Sequence, residues 1–168
     1  FELLNPDGTV AENINVFAPP SDSKLIEPIM VAGRWMQSTD VRKLLLSEKV
    51  LDTYPSLKPG DPILLKINGH EETWEVIGLF KFVGQEGVFA YIPLEYAAQI
   101  TNLPNRSSSF RVVTMQHDRT SQDLMAEKLD RFFRDEGFKV RKAESGLTSL
   151  DSALESLDIL VAFLLIMA

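Results

Sequence analysis

The chain contains no cysteine, which excludes thiol nucleophiles, thiolate zinc sites, redox motifs and a disulfide framework. Histidine is scarce too: His70 and His117 are the only two, each beside an acidic residue in a stretch that reads as a loop, and neither in an HExxH pattern. No metal and no cofactor is therefore expected. No GxSxG surrounds a serine, no GxxxxGK[ST] phosphate loop occurs, and Gly33, Gly84 and Gly87 do not form a GxGxxG. The carboxylates show no spacing that marks an acid–base pair. With no catalytic residue to name, the chain reads as a non-enzyme. A hydrolase would have to assemble its groups from distant positions.

A basic excess is also missing. The net charge is −7, and the one stretch richer in basic groups, 105–146, carries nine against seven acidic. Such a surface repels phosphate backbones, so nucleic acid is not an expected partner. The first residues, Phe1-Glu2-Leu3-Leu4, lack the basic region and cleavage site of a signal peptide and read as a boundary inside a longer protein. What is present is globular: 168 residues, 45% of them hydrophobic and 24% charged, enough for one self-supporting core.

The C-terminal end is the most informative stretch. Ile159 to Ala168 contains no polar side chain. Ten helical residues span about 15 Å, half of a hydrocarbon core. Before this run, Leu150, Leu154, Leu157, Val161, Leu164 and Ala168 recur at alternating steps of four and three, one stripe of a helix. Thr148 and Asp151 stand at capping-box spacing, so the helix is expected to begin near Ser149. A buried core helix is one reading of such a run. The start of a transmembrane helix is the other, and is preferred, because a core helix in so small a domain should keep one wet face. This stretch loses its wet face after Asp158.

Along the rest of the chain, Asn5-Pro6-Asp7-Gly8 is a turn and Val10 to Ala18 alternates as a strand. Ser23 to Met30 reads as a short helix or an irregular lead-in. Val41 to Leu46 is a strand, and Ser47 caps a short helix ending at Pro55. Lys58 to Asp61 is a turn. A hairpin follows, Ile63–Ile67 with Glu72–Leu79. Apolar cross-strand pairing favours a four-residue loop, Asn68 to Glu71, setting Leu65 opposite Trp74, over a two-residue Asn-Gly turn. A second strand pair is expected near Leu79–Val83 and Val88–Ile92, and Pro93 opens a short helix. Phe110–Met115, a helix from Ser121 to Glu136 capped by Thr120, and Phe138–Arg141 read as a βαβ unit. Met125, Leu129, Phe132 and Phe133 form the helix's expected buried face, and Gly137 its C-terminal cap.

Four segments carry a family resemblance. Gly33-Arg34-Trp35 followed by Asp40 and the Val41–Leu46 strand is the first. Leu57-Lys58-Pro59-Gly60-Asp61-Pro62-Ile63 is the second, Trp74-Glu75-Val76-Ile77-Gly78 the third, and Val88-Phe89-Ala90-Tyr91-Ile92-Pro93-Leu94 the fourth. In this order and spacing, residues 8–168 resemble the extracytoplasmic (periplasmic core) domain of MacB/FtsX-type ABC-transporter permeases. The apolar end falls where that family places its second transmembrane helix.

The resemblance implies an α+β fold. A split, βαβ-containing porter-like subdomain (1–32 and 105–147) would hold an inserted, mostly β subdomain (33–104). Residues 148–168 would be a stalk entering a transmembrane span, with Leu150, Leu154, Leu157, Val161 and Leu164 as its coupling face. It also implies a location on the outer side of the cell membrane and a non-catalytic relay of ATP-driven motion. The implied partners are a cytoplasmic ABC ATPase, a second permease subunit, and a periplasmic adaptor or exported substrate. Apart from the resemblance, Arg34 and Trp35 are a candidate partner surface, a cation beside an indole, and the other reading, a packed Trp35 with a solvated Arg34, is preferred. The alternative is a soluble or surface binding module with a buried C-terminal helix.

Overall fold

A computed structural model describes residues 1–82, 86–104 and 106–148. The fold is mixed α+β. Two compact units divide at 110/111.

The first unit holds seven strands: β1 (Glu2–Leu4), β2 (Val10–Phe17), β3 (Ile29–Gly33), β4 (Lys43–Ser47), β5 (Pro62–Ile67), β6 (His70–Lys81) and β7 (Val88–Tyr91). A 3-10 helix, Glu48–Asp52, follows β4, and α1 (Leu94–Ile100) follows β7. The strands β5, β1, β2, β7, β4 and β6 pair in that order, and β6 pairs back onto β5. Six strands thus close into a barrel. The pairs β2–β7 and β4–β6 are parallel, and the other pairs in the ring are antiparallel. β3 lies outside the ring, on the C-terminal half of β6, where β5 has left off.

Every strand of the ring sends side chains into one core, which includes Leu3, Ile14, Leu44, Leu46, Leu65, Trp74, Val76, Leu79, Val88 and Ala90. A ring this small has no lumen, and side chains fill it. β4 shows the logic in three residues: Leu44 and Leu46 point inward, Leu45 outward, and all three are fully buried. On β6 the alternation slips. Val76 and Leu79 both belong to the inner core, although they are three residues apart. The slip coincides with a register shift against β4, where Leu44 faces Val76 but Leu45 faces Gly78. One extra residue there reverses the facing of everything after it.

The Ile63–Ile67 hairpin forms, but with the shorter loop. Ile67 faces His70, Leu65 faces Glu72 and Ile63 faces Trp74. Asn68 and Gly69 both have positive φ (51° and 84°), the combination that a two-residue primed turn requires. The two registers differ by two residues, so both keep the same side chains inside, and burial does not choose between them. Turn chemistry does. Leu65 needs no apolar residue opposite on β6, because it also faces Leu3 of β1.

The expected pairing of Leu79–Val83 with Val88–Ile92 is replaced. β7 runs between β2 and β4, and β6 continues as one strand through Lys81. Two strands unseen in the sequence, β1 and β3, complete the ring and its flank. The segment 1–32 therefore supplies β1, β2 and most of β3 to the same unit as 33–104.

In the second unit, α2 (Arg119–Asp135) is capped by Asp118, whose Oδ1 accepts from the Ser121 amide at 3.0 Å, rather than by Thr120. At its other end the Gly137 amide donates to the Arg134 carbonyl and the Phe138 amide to the Phe133 carbonyl, closing the helix at Gly137 as expected. No residue of α2 is buried, and Phe132 is 57% exposed. The segments 110–115 and 138–141 form no strand. A strand requires a partner ladder, and neither segment pairs with another among the described residues.

Among the described residues, no helix is long and apolar enough to cross a membrane. The stalk positions Leu150, Leu154, Leu157, Val161 and Leu164, and the run Ile159–Ala168, lie outside the described residues.

Candidate functional site

The Gly33-Arg34-Trp35 segment and Asp40 meet on the outer face of the barrel. There the residues of β4, β6 and β7 that point away from the core form a second cluster: Leu45, Ile77, Phe80, Phe89 and Tyr91, with Met36. An apolar outer face must be covered, and the chain between β2 and β4 covers it. Ile26, Met30 and Trp35 pack on the cluster. The Trp35 ring meets Tyr91 edge-on at 5.2 Å, and its Nε1 donates to the Ser21 carbonyl at 3.2 Å.

Arg34 and Asp40 pin this strap. Arg34 Nη1 donates to Asp40 Oδ2 at 2.8 Å, and Nη2 donates to Oδ1 at 2.7 Å, a two-point fork. The Gln37 amide donates to the same carboxylate at 2.8 Å. The Arg34 amide donates to the Ile77 carbonyl, tying the strap to β6. Asp40 is 4% exposed, whereas the Arg34 side chain keeps 42% of its surface in water. Hydrogen bonds from Arg34 hold the Asp40 carboxyl below its ordinary value; burial opposes the shift, and the Gln37 amide adds to it.

The segment proposed as a partner surface thus has a structural task. The charge of Arg34 is paired with Asp40, while part of its side chain stays in water. An aromatic group lies beside it. Phe17, 43% exposed, stacks on Phe89 with centroids 5.8 Å apart and planes 5° apart, and Phe82 meets Phe89 at 4.5 Å. The alternation of β2 marks Phe17 only as one side of a strand. Its aromatic neighbours come from β7 and from the residue after β6, and local sequence cannot bring those together.

Nothing described has the form of a catalytic centre. Among the described residues, no group of three or more His, Cys, Asp or Glu is placed to hold a metal ion. His70 lies at the tight turn of the hairpin, and His117 is exposed ahead of α2. In the second unit a groove of about 500 Å³ runs between α2 and residues 141–143. Two of its charges pair locally, Arg134 with Asp130 and Lys142 with Glu144, and its lining contains no nucleophile with an adjacent base.

No protein-family model matches this chain, and no curated protein matches it.

Proposed function

We propose that this chain is the extracytoplasmic domain of an ABC-transporter permease of the MacB/FtsX type. In this reading it is non-catalytic and relays ATP-driven motion of membrane helices to an extracytoplasmic partner or substrate. The observation that carries the reading is the ordered set of four segments ending in the apolar run Ile159–Ala168. Its support is that each segment has a definite place in one unit. Gly33 to Asp40 pins the strap, Leu57 to Ile63 leads into β5, Trp74 to Gly78 lies within β6, and Val88 to Leu94 is β7 leading to α1.

A relay needs a stiff body at the receiving end. A closed barrel has no free edge within its ring and resists shear, because sliding one strand breaks ladders on both sides. It also needs a lever, and residues 147–168 contain no proline. The ATPase would be a cytoplasmic partner, and a second permease subunit and a periplasmic adaptor would complete the assembly.

The experiment is L157D with V161D in the intact membrane protein. The expected result is that ATP binding persists while coupled extracytoplasmic movement, or transport, is lost. Transport at the wild-type rate would overturn the proposal.

A further inference from the structure

In residues 111–148, the one buried side chain among the described residues is not apolar. It is Ser145, 6% exposed. Its Oγ donates to Asp123 Oδ1 of α2 at 2.5 Å and accepts from the Thr148 amide at 3.2 Å. The Thr148 hydroxyl donates to the same Asp123 oxygen at 2.9 Å. The two hydroxyl oxygens lie 3.0 Å apart. Each hydroxyl has one hydrogen, so with both directed at Asp123 that third contact carries none.

Residues 146–148 are helical, and Ser145 is their N-cap, three positions before Thr148, the cap read from the spacing of Thr148 and Asp151. A cap of this kind needs only the Ser145 oxygen and the Thr148 amide. It does not need a carboxylate from α2, 22 residues earlier in the chain. Asp123 therefore does something beyond capping. Among the described residues of 111–148 no apolar side chain is buried, and Val112, Met115, Phe132 and Phe138 are all more than half exposed. Two hydroxyls converge on one charged oxygen and tie the turn to α2, and each such bond is stronger than its neutral counterpart.

We propose that Asp123, Ser145 and Thr148 form a coupling joint that fixes the helical turn at 146–148 to α2, so that displacement of that turn is passed directly to α2. The joint stands on geometry alone. Its use in carrying force rests on the permease reading.

The test is amide hydrogen exchange on the full chain in its membrane, comparing wild type with D123A, D123N and T148V. In D123A, exchange is expected to rise on the order of tenfold both at Thr148, whose own acceptor is untouched, and in the first two turns of α2. D123N keeps an accepting oxygen but loses the charge, so it should fall between wild type and D123A. T148V removes one donor at similar volume and should give the paired response at smaller size, which keeps the test valid if D123A fails to fold. Wild-type exchange at Thr148 in D123A, or a rise there with none in α2, would overturn the joint and leave Ser145 as a cap only. In the same variants, ATP-driven movement of a label at Lys128 separates the two ideas. Loss of that movement in D123A supports the joint as a force path. A paired exchange response without any ATP-driven movement in wild type overturns the permease reading and leaves the joint standing.

Discussion

Gly33 crosses Gly78 so closely that neither has room for a side chain. A Cβ at Gly33 would lie 2.2 Å from the Ile77 carbonyl oxygen and 2.7 Å from Gly78 Cα, and one at Gly78 would lie 2.7 Å from the Arg34 carbonyl oxygen. These are backbone atoms, so the clash has no flexible side chain to yield. Gly33 also has φ +75°. G33A and G78A are each expected to lose about 2–4 kcal/mol, the sum of overpacking and, at Gly33, left-handed strain. Denaturant unfolding of the 168-residue chain measures this.

The hairpin supplies the contrast. Gly69 has φ +84°, and a Cβ there would meet nothing within 4 Å, so G69A brings strain without a clash. Its expected cost is about 1 kcal/mol. If G69A proves as damaging as G33A, the steric account of the Gly33–Gly78 crossing is wrong.

The pair of Arg34 and Asp40 should show in acid. The Asp40 carboxyl titrates below its ordinary 3.8 when folded, mainly because Arg34 donates to it. The unfolded chain therefore takes up the proton first as pH falls. The stabilising contribution is complete above the ordinary value and disappears as pH falls below it toward the lower folded value. D40A should cost about 2–3 kcal/mol at neutral pH, since a buried carboxylate with three donors is removed. The discriminating measurement is unfolding at about pH 7 and about pH 3: wild type and D40A should differ markedly at the first and much less at the second.

Helix α2 depends on its ends, because it buries no residue. The Asp118 carboxyl is held below its ordinary value by hydrogen bonding from the Ser121 backbone, so it caps as an anion. D118A should lower helicity by circular dichroism, D118S should restore most of it, and wild type should lose a smaller part of it as pH falls below 3.8 toward the lower folded value.

Much of the local structure is legible in the sequence. The strand at Val10–Phe17, the helix after Pro93, the Gly137 stop and the Asp130–Arg134 pair all rest on residues within a few positions of one another. The Asp118 cap and the Ser145 start differ from the expected positions, because several Ser, Thr and Asp residues stand at cap spacing and only the folded backbone selects one. The candidate site is half legible. Arg34, Trp35 and Asp40 stand out as a motif, yet their spacing does not say that Arg34 forks onto Asp40 or that Trp35 packs on Tyr91. The Asp123–Ser145–Thr148 cluster leaves no local signal, since its members are up to 25 residues apart.

The sequence alone determined the alternation of β2, the turn positions, the absence of cysteine chemistry and the apolar end of the chain. Those depend on residue type and on periods of two or about 3.6. Only the tertiary structure decided that β1 bridges β2 and β5, that β7 enters between β2 and β4, and that the strap covers Leu45 and Phe80. The reason is that ring closure is a property of all six strands together. Each pairing costs chain entropy before the shared core repays it, and no single segment records which neighbours it will have.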